Sequence, residues 1–346
     1  MNPYITLVLL FSLFLGTIIT LSSNHWLLAW IGLELNTLAI IPLMSKTHHP
    51  RATEATTKYF MTQSVASALL LFATMLIAWH TGEWTIINMQ ASAPTFMLTI
   101  ALMIKLAVAP FHLWLPDVIQ GLNLTTCLIL LTWQKLAPLT LLIQISSQTN
   151  STLIIFLGTL SLFFGGWGGL NQPHLRKIMA FSSISHLGWM IIVVLYSPNL
   201  AQLNLMMYLL MTSSLFLMMM TLKVINMNKT ASSWMKNFPL FSTMTITLMS
   251  LGGLPPMSGF LPKWMILEEL IKQNMTPLAT LAIISTLLSL FFYLRLSYIT
   301  SLTTSPSPLN SKLMWRLKSN LNPIIPSMII LSIMLLPISP SITNLL

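Results

Sequence analysis

The sequence carries little charge and almost no acid: six carboxylates and sixteen lysines and arginines in 346 residues, or 6% charged. A soluble domain carries roughly 25%. A water-facing surface cannot be assembled from so few polar groups, so a soluble globular protein is excluded. Cys127 is the only cysteine. Intrachain disulfides, a cysteine-ligated iron–sulfur cluster and cysteine zinc sites are therefore excluded as well. No basic stretch precedes the first apolar run, "MNPYITLVLLFSLFLGTIITLSSN", and no arginine-rich segment opens it. That run is expected to be a retained span rather than a cleaved leader.

What the sequence does have is apolar length. It is 55% hydrophobic, with a mean hydropathy of +0.80. Runs long enough to cross a bilayer, about 18 residues or more, recur throughout. The expected segments are 3–22, 25–45, 59–81, 93–121, 123–145, 152–171, 178–197, 202–224, 240–272, 276–298 and 322–343. The fold class is all-α, a polytopic transmembrane helical bundle of about eleven helices forming one integral membrane domain. Only 46–58, 223–239 and 300–320 are long enough to be loops.

The basic residues report orientation. Alternate connections hold Lys46, Arg51 and Lys58; Arg176 and Lys177; Lys223, Lys229 and Lys236; and Lys312, Arg316 and Lys318. These eleven of the sixteen fall on one side, the positive-inside pattern, with Lys272 an exception. The N-terminus is expected on that positive side. Dispersal over four loops without interleaved aromatics also removes nucleic acid as a partner, despite a formal charge of +10.

Four charged residues lie where none should be. Glu34, Lys105, Lys135 and Lys263 fall about 13–18 Å from a membrane surface at ~1.5 Å per residue. A lysine at the centre costs roughly 2.5–3.5 kcal/mol, so the set represents about 10 kcal/mol. Such residues point to proton or ion transfer. A blander reading, a structural ion pair of Glu34 with one lysine, leaves two lysines unexplained. His112 and His186 also lie in spans and suit proton relay, although a lone membrane histidine also serves as a packing residue. His25, His48, His49, His80 and His174 stand at helix ends or in loops and read as ordinary. Haem ligation lacks facing histidine pairs, and a metal site lacks convergent carboxylates or histidines.

Two segments are too long and are interrupted. Segments 93–121 and 240–272 would run about 44 and 50 Å if straight, against a ~30 Å hydrocarbon core. Each holds prolines six apart, Pro110 and Pro116 in "PFHLWLP" and Pro256 and Pro262 in "PMSGFLP", and Pro255 makes the second a double proline. Interior proline removes a backbone hydrogen bond. Irregular backbone at that depth is tolerated only inside protein or along a hydrated cavity. The two motifs lie 146 residues apart, about five spans. An odd number of spans inverts the second copy, as in transporters built from inverted repeats. The halves are expected at approximately 25–200 and 202–298, with 322–343 peripheral.

"KLAVAPFHLWLPD" followed by "GGLPPMSGFLPKW", with a glutamate two helices ahead, resembles the antiporter-like proton-channel family of respiratory complex I. The resemblance covers essentially the whole chain, and the richness in methionine, threonine and leucine is similar to that of mitochondrially encoded members. It implies a proton-pumping membrane-arm subunit of an NADH:ubiquinone reductase in the mitochondrial inner membrane, with the matrix as the positive side. It implies no redox centre on this chain, since NADH, FMN, iron–sulfur clusters and ubiquinone belong to the complex. The implied partners are sister antiporter-like subunits, small hydrophobic subunits and phospholipids. Carried over from the family, Glu34 and Lys105 gate proton entry, Lys135 passes the proton on and Lys263 sends it outward, with His112 and His186 as relays. At ~4 Å, Glu34 would stabilise the Lys105 ammonium by about 4 kcal/mol at an effective dielectric of 20, enough to switch it between holding and releasing a proton. Bacterial relatives resemble fourteen-helix proteins, so the first half here is expected to be less enclosed by its own chain. Two other readings stand beside this one: a self-sufficient cation/proton antiporter, and a purely structural membrane subunit whose charges lock helices together.

Overall fold

The computed structural model describes residues 2–86, 92–233, 237–255, 257–302 and 323–345. Pro256, Lys236, Lys312, Arg316 and Lys318 lie outside the described residues, as does nearly all of the expected loop 300–320. In chain order the helices are α1 (Pro3–Ser22), α2 (Trp26–Met44), α3 (Pro50–Thr81), α4 (Ser92–Leu106), α5 (Trp114–Gly121), α6 (Leu124–Leu131) and α7 (Trp133–Ile145). They continue with α8 (Ser151–Gly169), α9 (Leu175–Val194), α10 (Pro198–Leu222), α11 (Met227–Ser233), α12 (Phe238–Gly252), α13 (Phe260–Lys272), α14 (Thr276–Leu302) and α15 (Ile324–Leu345). Among the described residues, eight helices are long and apolar enough to cross a membrane, and three shorter apolar ones accompany them. Together they match the eleven expected spans.

Three expectations change. The expected loop 223–239 contains the short helix α11 (Met227–Ser233). The polar stretch 46–58 is not all loop, because α3 begins at Pro50. His49 caps it by accepting from the Arg51 amide at 3.2 Å, and proline suits the first helical position because its missing N–H would have no partner there anyway. At 32 residues α3 runs about 48 Å, so its polar start extends beyond the hydrocarbon. The expected single helix over 123–145 is also divided at Thr132. The Thr132 hydroxyl donates to the Leu128 carbonyl at 2.6 Å, and Lys135 N reaches Thr132 O only at 3.4 Å. Such back-bonding bends helices, and Pro138 denies the Gln134 carbonyl its helical donor.

The chain forms two compact units, Met1–Ser161 and Leu162–Leu346. Each contains one of the two proline-interrupted spans expected from the sequence, and these two interruptions share landmarks 146 residues apart. Ser92 and Phe238 open the first half-helix of each; Leu106 and Gly252 close it; Trp114 and Phe260 open the second half-helix. Ala107 and Gly253 follow in the left-handed region, at φ 60° and 78°. Val108 N bonds Met103 O and Ala107 N bonds Ile104 O; Leu254 N bonds Met249 O and Gly253 N bonds Ser250 O. Both are Schellman closures, which satisfy carbonyls that the ending helix would leave bare. The cause is in the sequence. The last residue of each first half, Leu106 or Gly252, stands four before a proline, so its carbonyl has no helical N–H to accept from.

A second device also recurs. An isolated antiparallel bridge joins His25 to Thr85 before α2, and another joins His174 to Asn226 before α9. Each ties the start of one span to the segment after the next. Within the second unit α9 forms the interior: nearly every residue from Leu175 to Val194 is buried. Its serines satisfy themselves, as Ser182, Ser183 and Ser185 donate to carbonyls three residues back at 2.7–2.8 Å.

The second interruption is close-packed. A Cβ on Gly259 would overlap the Ser250 carbonyl oxygen. Overpacking of this kind costs typically 1–3 kcal/mol. Gly259→Ala is expected to lower the amount of folded protein recovered in mild detergent, whereas Ala107→Gly, at a position already in the left-handed region, should leave recovery intact.

Candidate functional site: buried charges at helix interruptions

Every one of the three lysines singled out in the sequence sits beside a break. Lys105 is the penultimate residue of α4, Lys135 the third of α7, and Lys263 the fourth of α13. Helix ends leave unpaired carbonyls and N–H groups, so each ammonium is delivered to a place where backbone polar groups are available. Lys263 uses one directly: its Nζ donates to the Gly252 carbonyl at 2.8 Å, the same carbonyl that Pro256 leaves without a helical donor.

Lys263 lies on the wall of a cavity of about 710 Å³ that is mainly apolar, with Trp189, Phe260, Trp264, Glu268 and Leu290 among its lining. All of these residues belong to the second unit. His186 is buried in the middle of α9, its ring centroid 5.4 Å from that of Tyr208 on α10.

The first unit holds Glu34, Lys105, Lys135 and His112. Lys135 is buried, with 4% of its surface exposed. His112 is buried within the interrupted segment, and its carbonyl accepts the Leu115 amide at 3.1 Å as the chain re-enters α5. Glu34 lies in the unbroken part of α2. Its Oε2 and Lys105 Nζ are both buried without a hydrogen-bond partner, and no ion pair joins them within 4 Å. A cavity of about 20 Å³ beside Lys105 is lined by Asn36, Thr37, Tyr59, Gln63 and Gln134.

Other polar residues prove structural. His25 caps α2 by accepting from the Leu27 amide at 3.2 Å, and the His174 ring lies 2.9 Å from the Asn226 side-chain oxygen. Asp117, which follows the first proline pair, is 3.6 Å from Lys58, and Lys58 is 2.8 Å from Glu54. All three are about half exposed, and such surface pairs contribute little, about 0–1 kcal/mol. Sequence reasoning passed over Arg295 in α14. It donates to the Leu170 carbonyl at 2.8 Å, just past the end of α8, a cation at a helix C-terminus. The signal was available: an arginine inside an apolar run.

Residues 23–289 match the family described as NADH:quinone oxidoreductase/Mrp antiporter, membrane segment, and residues 290–343 match the C-terminal family of NADH dehydrogenase subunit 2. The chain is 55% identical over 346 residues to NADH-ubiquinone oxidoreductase chain 2 of Tetraodon nigroviridis, covering 100% of this chain and 99% of that one. It is 52% identical to the chain of the same name from Gallus gallus, with 100% of each covered. Its fold is similar to that of a chain of respiratory complex I from Thermus thermophilus, with a TM-score of 0.85 and 24% identity over 97% of this chain and 78% of that one.

Gly253 is the point at which the backbone and Lys263 meet. A Cβ there would lie 2.8 Å from Nζ, at a φ that costs a non-glycine residue about 1–2 kcal/mol. A structure of Gly253→Ala is expected to show Nζ displaced from the Gly252 carbonyl; retention of the 2.8 Å bond would contradict this account of how the lysine is seated.

Proposed function

The chain belongs to the NADH-ubiquinone oxidoreductase chain 2 family, within the NADH:quinone oxidoreductase/Mrp antiporter group, and from that premise we propose that its buried lysines carry protons through the membrane. As a member of that family it is a multi-pass membrane subunit of an H+-translocating NADH:quinone reductase. In our reading Glu34 and Lys105 control entry, Lys135 receives the proton, and Lys263 delivers it outward. His112 and His186 act as relays. Nicotinamide, flavin, iron–sulfur and quinone chemistry is assigned to other subunits, and this chain contributes no redox step. It is placed in the mitochondrial inner membrane beside sister antiporter-like subunits, small hydrophobic subunits and phospholipids, with its N-terminus on the matrix side.

One observation carries this reading: each mid-depth lysine coincides with an interruption of its helix. A lysine that only locks helices together can also use such an acceptor, as Lys263 does at the Gly252 carbonyl, but it does not require a broken helix at every one of the three positions. For proton transfer the coincidence has a purpose. Freed carbonyls can accept from the ammonium, freed carbonyls and N–H groups can hold and orient water, and the same groups make hydration at that depth less costly. The matching landmarks 146 residues apart support reading the spans as an inverted repeat, with one interrupted helix per half giving access to opposite faces. Glu34 biases Lys105 toward the charged form when it is near and relinquishes it when distant. Quinone chemistry elsewhere in the complex is the proposed source of that displacement.

Lys105→Met and Lys135→Met are the direct tests. The assembled complex bearing either, reconstituted into vesicles, is expected to translocate markedly fewer protons per electron. An undiminished ratio, with only assembly affected, would favour the purely structural reading. Cation exchange by the isolated chain would favour a self-sufficient antiporter.

A further inference from the structure

We propose that α15 is the outer anchor of the second helix interruption and that Ser258 is the positioning residue through which it acts on Lys263; the inference rests on the proton-path reading above. The Ser258 hydroxyl donates to the Ser332 carbonyl of α15 at 2.6 Å, across 74 residues of sequence. Ser258 is fully buried and Ser332 nearly so. Hydroxyls in membrane helices ordinarily bond back along their own helix. Those of Thr212, Ser213 and Ser214 on α10 do so, as do the α9 serines described above. Ser258 reaches out of its own segment instead.

α15 is built to receive it. Ile325, Ile329, Ser332 and Leu335 are buried and recur at helical spacing, whereas Ile330 and Met334 are exposed. One face of the helix therefore meets the bundle, where it packs on α10 and α12. Ser332 stands within that face, and its own hydroxyl turns back to the Ile329 carbonyl at 2.9 Å. A helix carbonyl that accepts from the amide four residues on retains a second lone pair. Ser258 can use it without loosening α15.

The residue after Ser258 is held by contact. Gly259 abuts the Ser250 carbonyl near the end of α12, and a Cβ on it would also lie 3.3 Å from Met211 Sδ of α10. The Ser250 hydroxyl lies 3.6 Å from the same sulfur. α13 begins at Phe260, and Lys263 is its fourth residue. Gly259 sets how closely the two ends of the break approach, and the Ser258 bond sets how the re-entering chain lies against the rest of the unit. Together they fix the first turn of α13, and with it the 2.8 Å reach of Nζ to the Gly252 carbonyl. The position 146 residues before Ser258 is His112, so the corresponding place in the first interruption carries an imidazole. α15 lies beyond the repeated landmarks. The anchor is therefore a feature of the second interruption rather than of the repeat.

The test uses the assembled complex. Ser258→Ala removes the hydroxyl and leaves the Ser332 carbonyl its helical donor. With that bond lost, proton translocation per complex is expected to slow about three- to tenfold and its pH profile to shift, because the Lys263 ammonium no longer keeps one fixed acceptor. A lower yield of complex whose rate and profile are unchanged would mean that the bond only stabilises the fold, and overturns the positioning role. An unchanged rate and profile alongside a sharp loss in Lys263→Met overturns the anchor and leaves the proton path standing. Unchanged translocation in both variants overturns both. Should Ser258→Ala fail to assemble, Ser258→Cys, close in volume with a weaker donor, is read by the same measurements: a slowed rate with a shifted profile supports the anchor, and parental values overturn it.

Discussion

Backbone hydrogen bonds left unmade in hydrocarbon are among the most costly defects a membrane protein can carry, and the architecture of this chain follows from where that rule is strained. Pro110 and Pro256 each stand four residues after a helix's last residue. Each thereby orphans a carbonyl within its span. The chain responds in the same way in both places, with a left-handed residue and a Schellman closure that satisfy two of the remaining carbonyls locally. What the closure does not cover is left for a side chain, and at the second break that side chain is Lys263. The interruption and the charge are thus two parts of one arrangement: the break supplies the acceptor, and the acceptor makes a buried ammonium tolerable.

The two units solve the problem to different degrees. In the second, Lys263 has a direct backbone partner and α9 satisfies its own hydroxyls. In the first, Glu34 on α2 and Lys105 on α4 each have a buried polar atom without a hydrogen-bond partner, as do the amides Asn36 and Gln63. Unpaired charge in a low-dielectric interior responds strongly to small displacements. Under the proposed function, a part of the chain that responds to distant chemistry is better left poised in this way than locked in a close ion pair.

Much of this was legible in the residues. The span count follows from hydropathy and segment length. The two breaks follow from proline, and their spacing foreshadowed the recurring landmarks. Other features were hidden for identifiable reasons. The division at Thr132 depends on a threonine hydroxyl competing for a carbonyl, an option every membrane threonine has and few use to break a helix. The start of α3 was hidden because polar residues outside the hydrocarbon read equally as loop or helix, and its cap is a histidine rather than a more usual serine or aspartate. Asn36 and Gln63 carry no charge and so raised no alarm in an apolar run.

Composition and periodicity by themselves determined that this is a polytopic helical membrane protein and where its helices fail, because these depend on local transfer energies and on proline's missing N–H. Only the tertiary structure decided which polar atoms find partners. It seats Lys263 on the Gly252 carbonyl, and it gathers Asn36, Gln63 and Lys105 from three helices around one water-sized space. Partnership across helices depends on ångström-scale packing, such as the room Gly16 leaves for Asn36, which no single segment encodes.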